Sequence, residues 1–459
     1  VLDRPITVHL IGIGGIGVSG VARALLGLGH RVTGSDVRES QLTRWLREEG
    51  ATVHIGHAAE HLEGADLVVH STAIPETNPE LVAARAGDLP VRHRSEILGA
   101  ILDRFQVAVG VIGTHGKGTV SSALTWALEE AGLAPSFIIG GLLENFDKIN
   151  CRLTGGDLIV AEVDESDGSL RNVRPTVAVV NNLEADHLNY YESLAHVQDT
   201  VVEALNGNPR LQRVIVNVDD PGAAAIIPRL RAPVTTFGRL TAEADVRGID
   251  ARADLRGGRF TLVTDGAPRG EVTLPLPGLY NLDNAIAAAA AATHLGAPPD
   301  AVRAALATFR GLENRFTVVE AGGRRVVKDY ISHPTGIRRV LQAAAHGEGR
   351  ITAVFKPYRF TMIHYLQDDY AEAFHDAAHT IVTELYTAGE VPIPGIDTAY
   401  LCDRIRGRGP EVTYVPEMDD IVPLLHETVG RGEQVIFFGG DDLFALADRF
   451  AAELVAREG

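Results

Sequence analysis

Short apolar, β-branched runs alternate with longer amphipathic stretches along most of the chain. From residue 6 to about 105, the runs Thr7–Ile11, 31–33 and 67–69 predict strands and 18–28 predicts a helix, the βαβ rhythm of a parallel sheet. The pattern restarts at Val107–Ile112, which runs through a glycine loop into a helix predicted over 119–131. Further strands are predicted at 158–160, Val177–Val180 and 214–216. The alanine-rich segment 284–309 predicts two helices broken at Gly296-Ala-Pro-Pro299, and Gly311 opens a third alternating stretch. Its strands are predicted at 325–327, Ile351–Phe355, 380–384 and 435–438. Three α/β units are expected, 1–106, 107–311 and 312–459, without the short period of a solenoid.

Composition narrows the class. The 459 residues exceed what one core holds, and 45 % hydrophobic with 22 % charged residues excludes a disordered, collagen-like or coiled-coil chain. A formal charge of −18 disfavours binding to nucleic-acid backbones or anionic membranes. The longest alanine run, 285–292, is too short and too weakly apolar to span a bilayer, so no membrane insertion is expected. Cys151 and Cys402 fit neither a disulfide scaffold nor a zinc spacing, which suits a reducing cytoplasm.

Two glycine loops carry the candidate chemistry. Gly12-Ile-Gly14-Gly15-Ile-Gly17 follows a predicted strand, opens a predicted helix and is followed by Asp36 after a second predicted strand. Glycines there let backbone N–H groups approach a diphosphate at a helix N-terminus. Taken alone the loop is equally a tight turn without ligand, and it does not specify NAD. The second loop, Gly113-Thr114-His115-Gly116-Lys117-Gly118-Thr119, holds one of only four lysines, the others being Lys148, Lys328 and Lys356. Its glycines expose amides, its lysine suits the β- and γ-phosphates of ATP, and Thr119 offers a hydroxyl to Mg²⁺ if the loop shifts by one residue. A strict phosphate loop would place glycine at Val111 and serine or threonine at Gly118, so the match is chemical and not literal. The acidic run Glu162-Val-Asp164-Glu165-Ser-Asp167 follows one predicted strand, and Asp186-His187 follows another. Each alone reads as a solvated turn; beside Lys117 they become candidate Mg²⁺ ligands.

These motifs in this order resemble the Mur ligase family, the ATP-dependent amide ligases of peptidoglycan synthesis. The resemblance covers nearly the whole chain. Its carriers are His9-Leu-Ile-Gly-Ile-Gly-Gly-Ile-Gly17 with Gly34-Ser-Asp36, Gly113-Thr-His-Gly-Lys117, Ala161-Glu-Val-Asp-Glu-Ser-Asp167, Asn182-Leu-Glu-Ala-Asp-His187, Asn281-Leu-Asp-Asn284, Arg315-Phe, Asp329-Tyr330 with His333-Pro-Thr335, and Pro392-Ile-Pro-Gly395. It implies a Rossmann-like N-terminal domain for UDP-N-acetylmuramate, a central P-loop-type ATPase domain and a Rossmann-like C-terminal domain for the amine. The implied reaction phosphorylates the lactyl carboxylate of the sugar nucleotide with ATP and displaces the phosphate with an amine, L-alanine in the branch most similar. Lys117, Glu162 and His187 would be catalytic, with Thr119, Glu162 and His187 on Mg²⁺. The loop residues 113–119 with Asn281, Asn284, Arg315 and Asp329 would hold ATP. Gly12, Gly14, Gly15, Gly17, Ser19, Asp36 and Ser71 would hold the UDP-sugar, and Tyr330, Ser332, His333, Tyr358 and Arg359 the amine. A monomer or homodimer is expected.

Departures from the family pattern cluster. Gly118 stands where threonine is usual, Asn189 where aspartate is usual, and Asn314 where arginine is usual. In the amine region Lys328, Ser332, Lys356, Tyr358 and Met362 replace aspartate, histidine, glutamine, histidine and arginine. Arg359 and Lys356 are the cations left for a substrate carboxylate. Two other readings therefore stay open: a Mur-type ligase acting on a different amine or peptide, and a weakly active nucleotide-binding homologue.

Overall fold

The computed structural model describes residues 2–457 except Asp167, Asn189 and Glu348. Three sheets follow one another along the chain. The first is wholly parallel, with spatial order Thr52–Ile55, Arg31–Asp36, Thr7–Ile11, Leu67–His70, Val91–His93. That is the order of a Rossmann half with its switch point beside the first strand, where the first glycine loop emerges.

The second sheet has ten strands. Val107–Ile112 lies in its parallel centre between Val177–Val180 and Leu158–Glu162. One edge is an antiparallel meander, Val246–Asp254, Gly257–Thr264 and Ala267–Leu274, and the other is the antiparallel pair Ser136–Leu143 and Ile149–Arg152. Glycine or charge interrupts the apolar pattern of each of these five strands, as in Val-Arg-Gly-Ile-Asp-Ala-Arg-Ala-Asp over 246–254, where every second residue from Asp250 is exposed. The alanine-rich helix Leu279–His294 is buried along almost its whole length between the sheet and helices Lys117–Glu130 and Pro299–Ala307. It stops where the sequence predicts, at Gly296 with φ +88°, and the next helix starts on Pro299.

The third sheet orders Thr317–Ala321, Arg324–Asp329, Gln434–Phe438, Ile351–Phe355, His379–Val382 and Glu411–Tyr414, parallel except for its first pair. The chain is thus mixed α/β, each sheet carrying its own helices. Helix Ile16–Gly27 of the first unit docks on the 136–152 edge of the second sheet through fully buried Asn150, which donates to Ile16 O at 2.8 Å and accepts from Arg23 at 2.9 Å. Tyr280 and Leu188 of the second unit pack into the core of the third. No helix among the described residues is long and apolar enough to cross a membrane.

Candidate active site

Gly116 ends the second glycine loop with φ +78°, and a Cβ there would lie 2.3 Å from Asn284 Oδ1. Only glycine fits. The loop is held from below by two consecutive asparagines. Asn182 accepts from the His115 N–H at 2.7 Å and returns its own amide to the His115 carbonyl at 2.9 Å, while Asn181 links the His115 carbonyl to Asn284. Helix Lys117–Glu130 begins directly on the lysine, so its N-terminal amides open toward the loop. Lys117 Nζ turns back to donate to Gly113 O at 2.6 Å and to Glu165 at 2.9 Å. Burial opposes its charge, but Glu165, Asp164 and Glu162 outweigh that and keep the ammonium protonated well above the ordinary lysine range.

A cleft of about 170 Å³ gathers most of the expected nucleotide residues. Thr114, His115, Gly116, Lys117, Gly118, Thr119 and Glu162 line it together with Asn281 and Asn284, and Asn284 abuts Gly116. Arg315 and Asp329 come from the C-terminal unit to close it. Gly113 stands just behind, its carbonyl on Lys117. Asp329 is 2 % exposed and accepts from the Phe316 N–H at 3.1 Å; burial pushes its carboxyl up to about 7, against the pull of Arg315 4.0 Å away. The cleft also contains Asn182, Tyr280 and Arg339, to which motif spacing assigned no role. Asn182 begins the Asn182-Leu-Glu-Ala-Asp-His187 motif; Tyr280 and Arg339 come together only where helices Leu279–His294 and Pro334–Ala345 meet.

The expected metal residues are only partly assembled. Thr119 and Glu162 share the cleft, and Glu162 accepts from the Gly140 N–H at 2.9 Å with its other oxygen available. A Cβ on Gly118 would stand 3.4 Å from Glu162 Oε2, and Thr119, one residue on, lines the same cleft. His187, with φ +52°, lies outside the cleft lining, 3.6 Å from Asp186. Burial opposes ionisation of Asp186, but His187, His333 and His115 hold it below the usual carboxylate range. Asp167 and Asn189 lie outside the described residues. Among those described, the one set of three ligand-type side chains is His115, Glu184 and His333. It does not suit a metal. His333 Nδ1 accepts from the Thr335 N–H at 3.3 Å as the cap of helix Pro334–Ala345, which puts the ring proton on Nε2 and leaves no lone pair there. The set is a joint between units: Glu184 accepts from the Thr335 hydroxyl at 2.7 Å, and its N–H donates to Thr114 Oγ1 at 2.9 Å. Burial disfavours the Glu184 charge, yet His115, Thr335 and Arg339 hold its carboxyl at about 2.

In the N-terminal loop Gly12 has φ +73°, and Gly15 precedes helix Ile16–Gly27. Asp36 accepts from the Gly14 N–H at 2.9 Å, so the carboxylate braces the loop. Ser19 is fully buried behind it, donating to Ile16 O and accepting from Asn150. Ser71 follows strand Leu67–His70 and its carbonyl accepts from the Ile74 N–H at 3.1 Å. Arg94, unremarked in the sequence, comes within 3.0 Å of where a Gly17 Cβ would lie and bonds Asp164 at 3.3 Å, joining this loop to the acidic run.

The amine residues are partly engaged with other groups of the chain. Tyr330 is half exposed, and the Ser332 carbonyl accepts from Tyr370 at 2.6 Å. Tyr358 stacks on Tyr386, and the Arg359 guanidinium lies over the Tyr358 ring, 5.0 Å from its centre. Arg359 faces Glu390 at 3.7 Å, and Lys356 is paired with Asp442. Met362 packs on the C-terminal core. A second cavity of about 390 Å³ touches Lys356, Glu384, Tyr386 and Met418 but none of Tyr330, Ser332, His333 or Arg359.

Residues 7–106 match the Mur ligase family catalytic domain, 111–292 the Mur ligase middle domain and 314–440 the Mur ligase glutamate ligase domain. The UDP-N-acetylmuramate–L-alanine ligase of Geobacter sp. (strain M21) is 38 % identical over 453 residues, covering 98 % of each chain. That of Salinibacter ruber is 38 % identical over 463 residues, covering 100 % of this chain and 97 % of the relative. The crystal structure of UDP-N-acetylmuramate-alanine ligase from Thermotoga maritima superposes with a TM-score of 0.83 at 26 % identity, over 98 % of this chain and 100 % of that one. A murein peptide ligase from Psychrobacter arcticus shares the fold, with a TM-score of 0.73 at 23 % identity and 98 % of each chain covered.

Proposed function

The chain belongs to the Mur ligase family, and we propose that it joins L-alanine to the lactyl carboxylate of UDP-N-acetylmuramate with ATP, in the synthesis of peptidoglycan precursors. The observation that carries this reading is the cleft in which a lysine-bearing glycine loop and the C-terminal Arg315 and Asp329 face one another, in a chain similar from end to end to L-alanine ligases. A carboxylate resists attack by an amine because oxide is a poor leaving group. Transfer of the γ-phosphoryl to its oxygen releases ADP and makes an acyl phosphate. The amine nitrogen then bonds to the acyl carbon as the C–O bond breaks, phosphate takes the electron pair, and the nitrogen loses a proton.

Two anions meet in the first step, so fixed cations decide its barrier. Lys117 would exchange Gly113 O and Glu165 for the β- and γ-phosphates, and Arg315 would reach the terminal phosphate from the C-terminal unit. Asn281 and Asn284 would bond the adenine and Asp329 the ribose. Thr119 and Glu162 would hold Mg²⁺, which supplies charge neutralisation between the phosphates, with His187 nearer the carboxylate. The N-terminal loop, with Gly12, Gly14, Gly15, Gly17 and Asp36, would take the UDP-sugar. Two buried free thiols suit a cytoplasmic enzyme. A second reading, another amine or a peptide, is favoured by one observation: both cations left for a carboxylate already face Glu390 and Asp442. With carboxyl-¹⁸O-labelled UDP-N-acetylmuramate, the released phosphate should carry one ¹⁸O. Unlabelled phosphate would exclude the acyl phosphate.

A further inference from the structure

One face of helix Pro334–Ala345 is turned to the central unit along its length. Thr335, Arg339 and Ala343, spaced by four, share that face. Thr335 bonds Glu184, and Ala343 lies against the start of helix Leu279–His294, its Cβ 3.0 Å from where a Cβ on Gly278 would be. Arg339 sits between them and lines the nucleotide cleft together with Tyr280, Asn281 and Asn284.

The Arg339 guanidinium is lightly held. Its NH2 is 3.5 Å from Glu184 Oε1, too far for a good hydrogen bond, and among the described residues it makes no other polar contact. Lys117 and Arg315, by contrast, each donate to a carbonyl. A planar cation lining the same cleft as a pair of asparagine amides is suited to a flat aromatic ligand, since guanidinium groups stack on π faces while amides read the ring edge.

We infer that Arg339 is a nucleotide-binding residue that lays its guanidinium over the purine held at Asn281 and Asn284. This rests on the reading of the cleft as an ATP site and adds to it a base contact delivered by the C-terminal unit. Glu184 then acts as a positioning residue, keeping the guanidinium in the cleft, and base binding and the seating of helix Pro334–Ala345 become one event.

The test is calorimetry on the full chain with AMP, ADP and a non-hydrolysable ATP analogue, comparing wild type with Arg339→Ala, Arg339→Gln and Arg339→Lys, each first shown to melt like wild type. Loss of a stacked guanidinium should weaken all three nucleotides by the same factor, roughly threefold to thirtyfold. Lysine, which keeps the charge but not the plane, should restore little of it. Unchanged binding in Arg339→Ala overturns the proposal while leaving the ATP site intact. So does a loss that grows with the number of phosphates, or full rescue by lysine, because either means that Arg339 acts as a point charge. If wild type binds none of the three, the ATP reading fails and this contact fails with it.

Discussion

The Lys117 ammonium is held 2.9 Å from the Glu165 carboxylate, and Glu165 is itself 1 % exposed. The residue expected to meet ATP is thus already satisfied within the protein, and nucleotide binding is an exchange of partners. Lys117→Ala should abolish ATP turnover. It should also lower the melting temperature, because leaving one member of a buried pair unmatched costs about 3–5 kcal/mol. The double variant Lys117→Met with Glu165→Gln should recover stability but not activity. Recovery of both would remove Lys117 from phosphoryl transfer.

Gly118 leaves empty the position that faces Glu162. Gly118→Ser would bring a hydroxyl toward that carboxylate, provided Leu312, 2.8 Å from the new Cβ, yields its flexible end. A lower Mg²⁺ requirement for turnover is expected, on the order of severalfold for one added ligand interaction. No change in Mg²⁺ dependence, in a variant of normal stability, would mean the metal does not sit between 118 and 162.

Substitution of Gly14 is a poor probe of the UDP-sugar site, since any Cβ would stand 2.8 Å from Thr43 and 2.9 Å from Asp36. Gly17→Ala is better, because the neighbour at 3.0 Å is the movable tip of Arg94. Weaker calorimetric binding of UDP-N-acetylmuramate with unchanged ADP binding is expected. Tight NAD binding in a chain without UDP-sugar affinity would reverse the assignment.

Asp329 makes a pH-dependent contribution of defined sign. Its folded-state pKa, about 7, lies above the unfolded value, so the native state holds the proton more tightly. Its stabilising effect is complete below about pH 4 and is lost as pH rises to 7, on the order of a few kcal/mol. Asp329→Asn should therefore gain stability relative to wild type between pH 5 and pH 8 in urea titrations. A constant difference across that range would show that Asp329 ionises freely.

The strands and helices that build the site were legible because each sits in a fully buried layer: Val107–Ile112, Val177–Val180 and helix Leu279–His294 read as apolar runs. The meander over 246–274 was not, since its outer strands alternate exposed and covered positions and all three carry glycine or charge. The phosphate loop and its asparagines could be located by glycine spacing, yet the Lys117–Glu165 pair, the Glu184–Thr335 joint and the place of Arg339 are contacts between elements far apart in sequence, which no local pattern encodes. The same is true of the amine region, where Glu390 and Asp442 already face Arg359 and Lys356.

Those pairs set the expectation for the amine. If the L-alanine carboxylate displaces Glu390, Arg359→Ala should raise the KM for L-alanine with little effect on ATP, because an unpaired desolvated carboxylate costs about 2–5 kcal/mol. An unaffected KM would free Arg359 from that role.

The L-alanine ligase reaction is tested most directly by product identification by mass spectrometry from the full chain with ATP, Mg²⁺, UDP-N-acetylmuramate and each of L-alanine, other amino acids and short peptides. The main product should be UDP-N-acetylmuramoyl-L-alanine, with phosphate release requiring both the sugar nucleotide and L-alanine. An amide formed with a peptide or another amine but not with L-alanine, or phosphate release indifferent to both substrates, would contradict it.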